Sequence, residues 1–173
     1  MPQRRKRTFI VAVRAALCPE GTLPVRFPPP ATTAGRPLRA GDVLKPPFSG
    51  EALVGADLDK VKARDAMTRQ EVGRMNWFPR RAYTSMDLSQ PSPTIRTYVH
   101  TAAGAFTLRD EGRGTYHRMG VREMLLLQTV PPSYAVPEGV TAARTGVGNA
   151  VPVKLARAVA SGILQRPWPA EAL

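Results

Sequence analysis

Residues 145–152 read Thr-Gly-Val-Gly-Asn-Ala-Val-Pro and lead directly into a stretch of helical periodicity over residues 153–164. The glycines at 146 and 148 predict a tight polar loop, because glycine permits backbone paths that side chains would block. A proline such as the one ending this loop suits the first helical position, where no amide donor is needed. Apolar residues then recur at helical spacing, namely Pro152, Leu155, Ala156, Val159, Ala160 and Ile163. Such an apolar stripe requires a partner surface.

Composition limits the class of protein and its partners. The 173 residues suffice for one domain of ordinary size, or for a small domain plus part of another. The 18 prolines and 14 glycines predict much irregular backbone. The net charge of +12 favours a polyanionic partner such as DNA, since each neutralised phosphate releases condensed counterions. Charge alone would equally suit RNA or a membrane surface.

Cysteine content and hydropathy indicate the compartment. The single cysteine, Cys18, excludes an internal disulfide and fits a reducing cytoplasm. No apolar run approaches the length of a membrane span. The basic cluster at 4–7 and the apolar residues 9–17 imitate a secretion signal, but Arg14 interrupts the run. The chain is therefore expected in the cytoplasm. One cysteine and two distant histidines are too few for a metal centre.

Two further segments have local structural signals. The β-branched apolar run at 8–13 predicts a strand buried on both faces. Residues 18–50 are rich in proline and predict an extended linker with a short turn of helix. Over residues 51–114, cations that include Arg80 and Arg81 are interleaved with aromatic residues, a composition suited to phosphate contact and base readout. A solvated surface with core aromatics is an equal alternative for any one residue.

The basic cluster at the N-terminus resembles a signature of the DNA cytosine-5 methyltransferase family. The eighth motif of that family, Gln-x-Arg-x-Arg before an apolar strand, matches Gln3, Arg5 and Arg7. In the family these arginines hold the target cytosine through its carbonyl oxygen, a task that suits guanidinium because it stays charged and presents a rigid fork of donors. The resemblance implies that Gln3, Arg5 and Arg7 are catalytic. A solvated charge cluster is the alternative on composition alone.

The opening stretch resembles the last signature motif of the same family. Gly-Asn-Ala-Val-Pro before a helix is typical of that motif, and the resemblance implies that Asn149, Ala150 and Val151 bind S-adenosylmethionine. From periodicity alone, a glycine turn before a helix that docks on a core explains the stretch equally simply.

Two intervening segments also match family motifs. Pro-Thr-Ile at 93–95 resembles the element that closes the target recognition domain, which implies that Thr94, with Arg96 beside it, contacts DNA phosphate as Arg80 and Arg81 do. A plain strand explains Thr94 nearly as well.

The Leu-Gln-x-x-Pro segment within 117–134 resembles the ninth motif, whose role is scaffolding. The resemblance implies that Met124, Leu125 and Leu127, with Val130, pack the recognition domain against the catalytic sheet. Gly120 stands where the family usually has a capping Thr or Ser, which predicts a weaker helix start.

Several family motifs are not found in these residues. Methylation of cytosine requires a thiolate that attacks carbon 6, and the family carries it in a Pro-Cys dipeptide, whereas Cys18 lies in Leu-Cys-Pro. The glycine-rich cofactor loop and the Glu-Asn dipeptide are missing too. The resemblance is therefore expected to cover only the C-terminal part of the family. It implies a split methyltransferase acting on double-stranded DNA, in a restriction-modification setting.

The split enzyme has specific consequences. A second polypeptide would bring the N-terminal methyltransferase motifs and share S-adenosylmethionine with this chain, which would be inactive alone. The alternatives are an inactive truncated remnant that acts at most as a basic DNA-binding module, and an unrelated RNA-binding protein.

The implied fold class is α/β. An incomplete doubly wound, Rossmann-like sheet segment would comprise residues 1–17 and 115–173, and a small irregular β-rich target recognition domain would comprise residues 51–114. The apolar strand and the terminal helix would lack neighbours in the lone chain, which is therefore expected to unfold partly or aggregate.

Overall fold

A computed structural model describes residues 2–3, 9–12, 14, 37–67, 85–95 and 106–164. Helices and strands alternate in these residues, which confirms an α/β chain, whereas the Rossmann-like segment stays a prediction. A 3-10 turn comes first, at Ala40–Asp42. The described helices are α1 (Gly55–Asp65), α2 (Val121–Leu127), α3 (Val140–Asn149) and α4 (Val153–Leu164). The described strands are β1 (Thr107–Asp110) and β2 (Thr115–Arg118).

The two strands form an antiparallel hairpin in which Thr107 lies opposite Arg118. Gly114 adopts a φ of 61° in the turn, a conformation that favours glycine. Short segments extend the hairpin on both sides, because the Leu53 amide donates to the Tyr116 carbonyl at 2.7 Å and the Met86 amide donates to the Thr107 carbonyl at 2.7 Å. The predicted domain boundary at residue 114 falls in this turn, and the domain division stays a prediction.

The main core joins α2, the hairpin, α3 and the residues around the 3-10 turn. Its buried members are Ala40, Leu44, Phe48, Met86, Ile95, Leu108, Met119, Met124, Leu125, Leu127 and Val147. The predicted burial of Met124, Leu125 and Leu127 is confirmed, with Val130 packed against them. The predicted turn of helix within 18–50 is confirmed at Ala40–Asp42. The described part of that segment belongs to the core, since Ala40 and Leu44 are fully buried.

The buried strand predicted at 8–13 is wrong for the residues that the structure describes. Residues 9–12 have no strand conformation, and the exposed fractions are 40% for Phe9 and 92% for Ile10. A strand buried on both faces needs paired neighbours. The described bridges and ladders give residues 9–12 no such neighbour.

The polar loop predicted at 145–149 is also wrong, because these residues form the end of α3. Gly146 and Gly148 are helical, and the positive φ angle near α3 belongs to Gly139, directly before the helix. Glycine costs a helix only about 1 kcal/mol relative to alanine, which tertiary packing readily offsets. Gly148 is buried in this packing.

The predicted helix at 153–164 is confirmed with the same bounds. Its apolar stripe is largely uncovered by the described residues. Gly162 is the buried residue of α4, whereas Ile163 and Leu164 are 42% and 46% exposed.

The start of α2 is held by a buried carboxylate. Glu123 is 3% exposed, and its Oε2 accepts the Gly120 amide at 2.9 Å. The same carboxylate accepts the Ser49 amide at 2.9 Å and the Ser49 hydroxyl at 2.6 Å. A Cβ added at Gly120 would lie 2.2 Å from the Ser49 Oγ. Ser49 therefore occupies the space of a capping side chain, which explains how α2 starts without Thr or Ser at 120.

We expect Gly120→Ser to destabilise the protein by about 1–3 kcal/mol, because the new side chain overlaps Ser49. Capping preference alone predicts the opposite sign. Gly146→Ala is the matched control, since its Cβ would meet nothing within 4 Å and should stabilise α3 by about 0.5–1 kcal/mol. Urea unfolding measures both changes. A Gly120→Ser variant as stable as wild type would contradict the assignment of Ser49.

Tyr116 connects β2 to α1. Its ring is buried, and its hydroxyl hydrogen-bonds to Asp65. Asp65 also accepts the Ser85 amide at 2.9 Å. Burial, and after it the charge of Asp65, raises the pKa of Tyr116. The neutral phenol is therefore favoured in the folded state.

This raised pKa makes stability depend on alkaline pH. The contribution of Tyr116 is fully present below about pH 10 and is lost as the pH rises through its folded-state pKa, because the folded chain then binds the proton that the unfolded chain releases. We expect the unfolding free energy to fall less between about pH 9 and about pH 11 in Tyr116→Phe than in wild type. Equal slopes in the two proteins would refute the burial argument.

Candidate functional site

Gln128 lies at the end of α2 and connects it to α3. Its side chain is fully buried. The Nε2 group donates to the Val147 carbonyl at 2.7 Å and to the Ala150 carbonyl at 3.3 Å. These carbonyls lie in the last turn of α3 and just beyond it, where helical partners run out. Gln128 therefore fixes the end of α3 and the direction of the peptide that follows Ala150.

The same corner starts α4. The Val153 amide donates to the Gln128 carbonyl at 3.0 Å, and the Lys154 amide donates to the Thr129 Oγ1 at 3.0 Å. Thr129 has a φ of 57°, which is rare for a β-branched residue. This conformation places its hydroxyl at the helix start. The residues between α3 and α4 are thus held at both ends by consecutive residues, Gln128 and Thr129.

The structure brings the predicted cofactor residues together between α3 and α4. We call Asn149–Val151 the cofactor loop. Asn149 is exposed, Ala150 is half-buried and Val151 is 40% exposed. Ala150 and Val151 line a groove of about 610 Å³, within the usual range for small-molecule sites. The rest of its lining is mostly apolar, formed by Leu125, Val130, Pro131, Tyr134, Val136, Pro137, Ala143, Gly146, Val147 and Val153.

The predicted DNA-contacting segment lies on the other side of Gln128. We call residues 91–95 the recognition edge. The Ser92 amide donates to the Pro2 carbonyl at 2.8 Å, and Ser92 forms a parallel bridge with Gln3. Thr94 is half-buried, and the next residue, Ile95, is 1% exposed. The recognition edge is therefore paired with the N-terminal residues that carry the Gln-x-Arg-x-Arg pattern.

Gln3 is the one predicted catalytic residue that the structure describes. Its side chain is buried, with 4% exposed. Its Nε2 lies 3.4 Å from both the Leu127 carbonyl and the Gln128 Oε1, and its Oε1 accepts the Ile95 amide at 3.4 Å. These partners are all within the chain. The catalytic role of Gln3 stays a prediction, and its contacts instead join the recognition edge to α2.

The remaining predicted site residues lie outside the described residues: Arg5, Arg7, Arg80, Arg81 and Arg96. Their roles stay predictions. Sequence reasoning missed the position of Gln128, although the signal was present in Leu-Gln-x-x-Pro, where a polar residue interrupts an apolar run. A buried glutamine must find hydrogen-bond partners.

The described part of the chain contains no group of three or more His, Cys, Asp or Glu residues that could hold a metal ion. Its helices also fall short of the length and apolarity that crossing a membrane requires.

Comparison with known proteins assigns the family. The family of C-5 cytosine-specific DNA methylases matches residues 1–165. The chain therefore belongs to the C-5 cytosine-specific DNA methylases, which transfer methyl groups to DNA and generally use S-adenosylmethionine. No curated protein matches the chain.

The expected restriction of the resemblance to the C-terminal part of the family is wrong. The match spans nearly the whole chain and includes its N-terminal region. The restriction rested on missing short motifs, whereas the match extends over the sequence between the motifs as well.

We expect Thr129→Val to lower the unfolding free energy by about 1 kcal/mol, because it keeps the shape but removes the acceptor for the Lys154 amide. Thr129→Asn is the control, since asparagine tolerates positive φ and retains an acceptor. It should match or exceed wild type. Thermal unfolding monitored by circular dichroism ranks the three proteins, and a Thr129→Val variant with the wild-type midpoint would exclude the cap.

Proposed function

We propose that this chain is one subunit of a split DNA cytosine-5 methyltransferase, acting in restriction-modification. One observation carries the proposal: the family match over residues 1–165 coexists with a single cysteine that does not lie in a Pro-Cys dipeptide. The reaction cannot begin without a thiolate, because carbon 5 of cytosine is not nucleophilic until carbon 6 is attacked. The attacking thiolate is therefore supplied by a second polypeptide.

The cofactor loop suits one wall of an S-adenosylmethionine pocket. The exposed Asn149 amide offers a donor and an acceptor, and Val151 presents apolar surface to the adjoining groove. A zwitterionic sulfonium compound also needs charged partners, and the groove lining contains none. The second polypeptide would complete the pocket. When bound, S-adenosylmethionine supplies the methyl group; Asn149, Ala150 and Val151 orient it.

The DNA-binding role rests on charge and on the recognition edge. The net charge of +12 favours phosphate contact by counterion release. Thr94 and Arg96 on and beside the recognition edge, with Arg80 and Arg81, would hold the backbone of double-stranded DNA. The target base must leave the helix to reach the pocket. Arg5 and Arg7 would then hold the extruded cytosine.

The uncovered apolar face of α4 supports a second polypeptide. Ile163 and Leu164 are 42% and 46% exposed, and Ile10 near the N-terminus is 92% exposed. Apolar side chains that recur on one helix face are usually covered by another element. The alternative function is that of an inactive, basic DNA-binding remnant, which the net charge alone would satisfy.

The decisive experiment assays methyl transfer to DNA with and without a polypeptide that carries the Pro-Cys and Glu-Asn dipeptides, taken from the neighbouring reading frame. We expect no transfer by the chain alone and transfer by the mixture. The lone chain should bind DNA weakly, with affinity that falls steeply as salt rises.

Cys18→Ala provides the matched control, because it removes the one thiol of this chain. The mixture containing Cys18→Ala should retain wild-type activity. Robust transfer by the chain alone, abolished by Cys18→Ala, would overturn the split enzyme. Salt-dependent DNA binding without transfer in any mixture would favour the remnant.

A further inference from the structure

Two buried glutamines form a continuous chain of hydrogen bonds through the described core. The Ile95 amide donates to the Gln3 Oε1 at 3.4 Å, and the Gln3 Nε2 donates to the Gln128 Oε1 at 3.4 Å. The Gln128 Nε2 then donates to the carbonyls of Val147 and Ala150. We call this set of groups the amide relay. It runs from the recognition edge to the cofactor loop.

The direction of the amide relay is fixed by its ends. The backbone N–H of Ile95 can only donate, and the backbone carbonyl of Val147 can only accept. Both side-chain amides must therefore point the same way, each accepting through oxygen and donating through nitrogen. Hydrogen bonds aligned in this sense polarise and strengthen one another.

Burial makes the amide relay hard to replace. Gln3 is 4% exposed and Gln128 is fully buried, so water cannot take over a lost contact. An amide group left without its partner in such surroundings costs more than the net value of the bond. Movement at one end therefore changes the hydrogen bonds at the other.

We propose that Gln128, oriented by Gln3, is a positioning residue that couples the recognition edge to the cofactor loop. Gln128 sets the direction of the Ala150 carbonyl, and Gln3 sets the position of Gln128. Any contact that shifts Ile95 alters the cofactor loop, and the coupling is reciprocal between the two ends. The inference rests on the proposed function only for what the two ends bind, namely DNA phosphate and S-adenosylmethionine.

Amide hydrogen exchange of the full chain tests the coupling without any methyl transfer. Gln3→Met and Gln128→Met keep side-chain length and remove the amide. We expect each to speed exchange at residues 149–153 roughly tenfold, the change that corresponds to one lost hydrogen bond. Gln90→Met, the same change at an exposed glutamine, should leave residues 149–153 unaffected.

The double variant separates coupling from simple destabilisation. If the two glutamines act as one unit, Gln3→Met adds little to the exchange of residues 149–153 in a Gln128→Met background. Additive effects would overturn the relay. So would a Gln3→Met variant that leaves residues 149–153 at the wild-type rate.

A wild-type measurement covers the case in which a variant fails to fold. In the amide relay, the side-chain NH₂ protons of Gln3 and Gln128 should exchange at least about tenfold more slowly than those of Gln90, because each Nε2 donates to a buried acceptor. Equal exchange rates by NMR would overturn the proposal. Absence of methyl transfer with any second polypeptide would sink the split enzyme and leave these results intact.

Discussion

The hydrogen bond between the Gln128 side chain and the Val147 carbonyl, 2.7 Å long and fully buried, is the contact on which the described arrangement depends. It joins the end of α2 to the end of α3. The backbone carbonyl of the same residue receives the first amide of α4. One glutamine thereby fixes three helix ends, and the residues predicted to bind the cofactor lie between two of them. Because the neighbouring core is apolar, this one polar residue has few alternative partners and specifies a single arrangement.

The start of the same helix shows how a family feature is replaced. Gly120 offers no capping hydroxyl, yet the Glu123 carboxylate accepts the amides of both Gly120 and Ser49. Because Ser49 approaches so closely, a glycine is required at 120. The hydroxyl has in effect moved from the helix to a segment more than 70 residues away along the chain, which also draws that segment into the core.

Much of the fold could be predicted from the sequence, since local patterns carry it. The bounds of α4 follow from apolar periodicity and a proline at its start, and the burial of Leu125 and Leu127 follows from their motif. The glycines of α3 misled the prediction, because low helix propensity is a weak signal that packing overrides. The contact between Gln3 and Gln128 spans 125 residues, so no local pattern reveals it. The strand at 8–13 failed for a related reason, since its conformation depends on neighbours and not on its own residues.

The way α4 begins also has an electrostatic consequence. A helix N-terminus commonly binds anions, because its first amides point outward and the aligned peptide dipoles attract negative charge. In this chain the amides of Val153 and Lys154 are already donated to Gln128 and Thr129. A carboxylate or phosphate that approaches this end of α4 meets an occupied backbone. Selectivity for an anionic group beside the groove must therefore come from side chains, and substitutions there can retune it without disturbing the helix.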